Sequence, residues 1–181
     1  MNNKKRKIIE TSFELFCSNG FNATGINIII DKSKVSKMMM YYYFKNKEEL
    51  IIEVLEFAHN IFVENVLQKV EKSKLSAKKK ILSLFEILFE ISKEKDLVRC
   101  VFINATAEFS DIKNPIHRVT IKHQKSIEDF IKNALKKDGF TDVKYLARTI
   151  NLTLQGALVM VQTTNDKKYY LDAKKLVAKI L

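Results

Sequence analysis

The chain reads as an all-helical protein: a three-helix N-terminal segment over residues 1–46, then a larger helical bundle over residues 47–181. Three observations predict this. Apolar residues recur at three- and four-residue spacing along most of the chain, and no two-residue alternation is long enough for a strand. Gly and Pro number only four and one in 181 residues, which leaves few sharp turns and favours helices joined by short loops. Residues suited to capping or stopping a helix stand at the ends of the periodic runs.

Residues 4–19 place Ile9, Phe13 and Phe16 at helical spacing beside a row of Ile8, Ser12 and Leu15, and Asn19-Gly20 supplies the stop. Thr24 is the expected cap of a short second helix bearing Ile26, Ile29 and Ile30, which ends around Lys32–Lys34. Ser36 caps a third helix through Tyr43, with Val35, Met40 and Phe44 facing inward. Asn46 and Glu49 have the spacing of a capping box, and Glu48 and Glu49 suit the first turn of a long fourth helix running towards Val70. Further helical patterns cover about 76–94, 96–110, 114–138, 142–164 and 171–181, punctuated by Ser76, Asp96, Asn114-Pro115, Gly139 and Asp172.

The composition, 46% apolar and 29% charged, is that of a globular protein with an ample core. A formal charge of +11 predicts attraction to polyanions such as nucleic acid or an anionic membrane. The excess is diffuse, with nine basic and five acidic side chains among residues 1–50, so charge alone locates no site. Cys17 and Cys100 form no CxxC pair, which suggests a reducing, cytoplasmic setting. Glu10 and Glu14 interrupt what would be the apolar core of a leader, and no run approaches the roughly 18 apolar residues of a membrane span. Nothing indicates an enzyme or a cofactor: nucleophile elbow, Walker loop, dinucleotide fingerprint and zinc motif are all missing. His59, His117 and His123 give no metal set by spacing, since the last two fall on different faces of one helix.

The order Gly20-Phe21, Thr24, Ile26, Ile29, Val35-Ser36-Lys37, Met40-Tyr41, Phe44, Lys47-Glu48 and Leu50 resembles the DNA-binding signature of the TetR (tetracycline repressor) family, over about the first 50 residues without a gap. The physical logic agrees, because a second helix packed across a third leaves the third protruding, and a helix fits the major groove of B-DNA. Lys37 is placed to donate to guanine O6 and N7, and Met38 and Met39 to touch thymine methyls, where the family more often has small residues or Thr. The resemblance makes Tyr41 a phosphate contact, Tyr42 an aromatic reaching bases or sugars, and Tyr43 a residue beside the phosphate. Lys47 begins helix 4, where a phosphate is well received. Thr24 and Ser36 complete the expected DNA-binding set. Where the family more often has Gly, Lys34 departs.

Beyond residue 50 the resemblance follows architecture. Cys100, Asn104 and Glu108 recur along one face of an otherwise apolar helix, echoing a pattern in some TetR relatives. Two readings stand, a satisfied core network or the lining of a ligand pocket. With Phe89, His117 and Gln124 they form the candidate lining for an unidentified small apolar effector, which the resemblance implies. The helix over 142–164 is apolar on more than one side, and Leu152, Gly156, Val159 and Met160 are the expected contact of a homodimer. The implied partners are therefore a double-stranded DNA operator, a second copy of the chain and the effector, with no membrane. The implied function is a repressor that binds a palindromic operator and is released by ligand. The alternative is a ligand-independent DNA-binding protein of the same fold, acting in chromosome organisation or division.

Overall fold

A computed structural model describes residues 3–94 and 100–181, and every regular element among them is helical. Helix α1 (Asn3–Asn19) buries Ile8, Ile9, Ser12, Phe16 and Cys17 along one stripe. Gly20 ends it at φ +84°, a conformation that L side chains rarely adopt. Helices α2 (Ile26–Ser33) and α3 (Lys37–Tyr43) follow. Helix α4 (Lys47–Phe62) continues through a π-helical turn, Val63–Leu67, into α5 (Gln68–Lys72). Then come α6 (Ala77–Glu94), α7 (Val101–Glu108), α8 (Pro115–Lys137), α9 (Val143–Thr164) and α10 (Tyr169–Ile180). Asp96, the expected start of the 96–110 pattern, lies outside the described residues.

The chain forms two compact units. The first takes the chain up to Asn60 and the later stretch ending at His123; the second holds the chain from Ile61 onward and Gln124–Leu181. The first unit therefore reaches past residue 46, because Leu50, Ile51, Val54 and Leu55 of α4 are buried in it and α7 packs against α1. Lys5 of α1 fastens α4 through Glu53 at 2.7 Å. Phe16 and Phe21 bring their ring centroids to 4.7 Å, and Phe21 meets Phe109 edge-on at 5.7 Å. Such aromatic pairs contribute about 0.5–1.5 kcal/mol each beyond their burial.

In the second unit Ile81, Leu84 and Phe85 of α6 pack with Ile131 and Leu135 of α8, Ile150 and Leu154 of α9 and Val177 of α10. Helix α10 lies against α6 and α9. The Asp138 carboxylate accepts the Ala77 N–H at 2.6 Å, satisfying one of the donors that the start of α6 leaves unpaired. No described helix is long and apolar enough to cross a membrane.

Candidate nucleic-acid interface

The turn between α2 and α3 is closed by two backbone hydrogen bonds around a left-handed residue. Lys34 adopts φ 55°, ψ 39°, while its N–H donates to Asp31 O at 3.2 Å and the Val35 N–H to Ile30 O at 3.4 Å. A non-glycine residue held left-handed costs about 1–2 kcal/mol. Ser36 then returns to extended backbone and its Oγ accepts the Met39 N–H at 3.1 Å, the expected cap of α3.

Helix α3 is anchored by Met40 on one side and by Phe44 just past its end, both buried. With those fixed, 3.6-residue periodicity turns Lys37, Met38, Tyr41 and Tyr42 outward. Met38 is 80% exposed and Tyr42 78%, against 48% for Tyr41. Met39 and Tyr43 are half-buried, and the Tyr43 ring stands edge-on to Tyr42 at 5.0 Å. Beside this face a concavity of about 430 Å³ is lined by Asn27, Ile30, Asp31, Lys34, Val35 and Lys37. The result is a short helix with a lysine at its N-terminal end and an exposed flank of aromatic and thioether side chains, groups whose chemistry can meet phosphates, base edges and thymine methyls.

Lys47 opens α4, half-buried. Asn46 Oδ1 accepts the Glu49 N–H at 2.8 Å, and Glu49 Oε2 accepts the Lys45 N–H at 2.7 Å. The reciprocal capping is thus present, displaced by one residue on the return bond. It also occupies the Glu49 N–H.

Thr24 departs from expectation. It is fully buried, and its hydroxyl donates to Gly20 O at 2.7 Å. Gly25 takes the N-cap position of α2 with no side-chain bond, so Thr24 holds the α1–α2 loop rather than capping a helix or facing DNA. The six candidate lining residues also part company. Phe89 and Gln124 belong to the second unit and Cys100, Asn104, Glu108 and His117 to the first. Glu108 Oε1 accepts the Phe21 N–H at 2.8 Å and Oε2 the Asn22 N–H at 2.6 Å, while His117 Nδ1 bonds Phe109 O at 2.7 Å. Gln124 Nε2 donates to Gln155 Oε1 at 3.0 Å, and the buried Gln124 Oε1 has no partner. The open concavity described in the second unit, about 480 Å³, is lined by other residues, among them Leu67, Phe130 and Lys136.

On α9, Leu152 is 74% exposed and Val159, Met160 and Gly156 are also exposed, with Tyr145 one heptad before Leu152. Leu176 and Ile180 add an exposed apolar row on α10.

Sequence spacing did not reveal a buried histidine pair. His59 of α4 and His123 of α8 bring their Nδ1 atoms to 3.3 Å, and the His123 ring stacks on Phe102 with centroids 3.7 Å apart. Burial, and then the neighbouring His59, push the His123 pKa down to about 3. His59 is also pushed down, by burial first and Lys122 second, against an opposing pull from Glu56. No signal short of the fold joins residues 64 apart. No group of three or more His, Cys, Asp or Glu among the described residues is arranged to hold a metal ion. Burial raises the Cys17 thiol to about 12, with Cys100 and Glu14 adding to the effect, so Cys17 is a packed thiol and not a reactive thiolate.

Residues 8–54, which contain most of α1, all of α2 and α3 with the turn between them, and the first half of α4, match the family described as bacterial regulatory proteins, tetR family. Over 166 residues the chain is 26% identical to the uncharacterized HTH-type transcriptional regulator YxaF of Bacillus subtilis, covering 90% of this chain and 87% of that one. It is 26% identical over 144 residues to the biofilm operon icaADBC HTH-type negative transcriptional regulator IcaR of Staphylococcus epidermidis, covering 77% of each. Its fold superposes on a TetR transcriptional regulator from Legionella pneumophila with a TM-score of 0.88, at 20% identity over 100% of this chain and 98% of that one. The N-terminal unit thus carries a segment that matches the tetR family of bacterial regulatory proteins, and the chain as a whole shares the fold of a TetR regulator.

Proposed function

We propose that the protein is a repressor that binds a palindromic operator as a two-fold dimer. The observation that carries this is the exposed α3 face, with Lys37, Met38, Tyr41 and Tyr42 outward on a helix locked from behind by Met40 and Phe44. Met39, Tyr43, Ser36 and Lys47 complete the reading surface. Repression is supported by the likeness to a negative regulator. The apolar face of α9 and α10, at Tyr145, Leu152, Val159, Met160, Leu176 and Ile180, supports burial against a second copy, which would build a four-helix bundle. Two reading helices would then meet grooves about 34–36 Å apart.

Selection from random DNA followed by footprinting tests this. The expected outcome is a two-fold site protected by a dimer, with affinity falling steeply as salt rises. No selected site, or protection of one half-site by a monomer, defeats it.

Release by a small apolar ligand is the finer part of the reading. The unpartnered Gln124 Oε1 suits a ligand donor, and Phe89 and Gln124 are the candidates for the second unit. Glu108 and His117 are already engaged by backbone groups, which favours the rival in which DNA binding is independent of ligand. A thermal-shift screen of lipophilic compounds, followed by operator titration, separates the two. A stabilising compound that weakens operator binding supports release; stabilisation by none supports the rival.

A further inference from the structure

Glu108 closes α7, yet both of its carboxylate oxygens are spent on the other end of the first unit. They accept the N–H groups of Phe21 at 2.8 Å and Asn22 at 2.6 Å, residues 87 and 86 positions away in the chain. Those amides follow immediately on the last turn of α1, which ends with the Gly20 N–H donating to Phe16 O at 3.0 Å. The loop is held from its other face as well, because the Thr24 hydroxyl takes Gly20 O. Phe21 is sandwiched in sequence between these bonds and buries its ring against Phe16 and Phe109, the latter adjacent to Glu108. Gly25, the N-cap of α2, follows three residues after Asn22, so the loop that Glu108 holds leads directly into α2.

We propose that Glu108 is a positioning residue for DNA reading. By gripping two loop amides it fixes the seat of α2, and through the left-handed Lys34 turn the seat of α3. This rests on the reading of α3 as the DNA-contacting helix. It makes α7, which also carries the Phe102 ring stacked on His123, the element through which a displacement within the first unit reaches that helix. The chemistry requires a carboxylate. Glutamine has the same shape but one acceptor oxygen, and its NH₂ group would confront an N–H donor.

The test compares the full-length protein with its Glu108→Gln and Glu108→Asp variants by amide hydrogen exchange and by binding to the operator selected by the parent. Losing one charge-assisted bond should accelerate exchange at Phe21, Asn22 and through α2–α3 by about tenfold or more in Glu108→Gln, leaving α8–α10 protected as before. Affinity for the selected operator should fall by about tenfold, while affinity for random DNA changes by less than about threefold, because backbone contacts survive a misplaced reading helix. Glu108→Asp, with both acceptors on a shorter arm, should fall between. Exchange in α2–α3 within about twofold of the parent, or a rise shared equally by α8–α10, overturns the proposal in favour of a general staple. If the parent selects no operator, the reading role of α3 fails, and the exchange data alone then decide whether Glu108 holds the helix pair.

Discussion

The Glu108 carboxylate occupies the space that a side chain on Gly20 would need: Oε1 lies 2.8 Å from the position of a Cβ there. Gly20 is thus required twice, by its φ of +84° and by this close approach. Gly20→Ala is expected to cost more than the roughly 1–2 kcal/mol of left-handed strain alone. In a Glu108→Ala background the steric part disappears, so the double variant should be more stable than the sum of the two losses implies. Urea midpoints for the four proteins measure the coupling; simple additivity would show that the carboxylate yields freely.

Lys34 gives the opposite expectation. Its left-handed turn carries strain that glycine would not, and its Nζ contact with Asp31 at 3.4 Å is a fully solvated pair worth little. Lys34→Gly should therefore raise stability by up to about 1 kcal/mol, offset in part by the freer unfolded chain. A lowered melting temperature would mean that the lysine makes a contact outweighing its backbone strain.

The proposed reading role of α3 separates specificity from affinity. Lys37→Ala should relax preference at one position of each half-site, whereas Lys47→Ala should weaken all sequences alike and reduce the salt slope by about one. Tyr41→Phe, which removes the hydroxyl proposed to meet phosphate, should also weaken all sequences alike. Repeating the random-sequence selection with Lys37→Ala checks the assignment, which an unchanged consensus would contradict.

Gly156 makes the proposed dimer contact testable without ambiguity about folding. A Cβ at this position meets nothing within 4 Å in the protomer, so a larger side chain is free to point outward. Gly156→Ala should stabilise the isolated helix by about 1 kcal/mol, and Gly156→Leu should leave the protomer folded while forcing partner helices apart. Sedimentation should show a folded monomer for Gly156→Leu; a dimer persisting at nanomolar concentration would place the contact elsewhere.

The buried histidines predict an acid-sensitive fold. Both imidazoles resist protonation in the folded chain relative to their ordinary value of 6.5, so below that pH the unfolded chain binds more protons. Their contribution is fully present above about pH 6.5 and is lost as pH falls towards the folded values, about 3 for His123. Unfolding free energy should drop by on the order of 1 kcal/mol per pH unit between pH 6.5 and 5, before most carboxylates titrate. His123→Gln should lower stability at pH 8 and flatten that limb. An acid limb identical in parent and variant would show that other groups dominate it.

The helical pattern was legible from local chemistry. The Ser36 cap, the Asn46–Glu49 box and the stop at Gly20 all depend on residues within five positions of one another, and backbone geometry at that range leaves few alternatives. The outward set on α3 was legible for the same reason, because burying Met40 and Phe44 fixes which way Lys37, Met38, Tyr41 and Tyr42 face. What a polar side chain does once buried depends on partners that only the fold supplies. Thr24 looked like a cap by position, but the chain brings Gly20 O within reach first. Glu108 looked like part of a polar face on α7, yet its partners lie 86 and 87 residues earlier in the α1–α2 loop. His59 and His123 gave no sign of each other across 64 residues. Periodicity records which face of a helix is apolar, and for that the sequence suffices. Hydrogen bonds between distant segments depend on contacts within about 3 Å, and only tertiary packing decides which distant groups come that close.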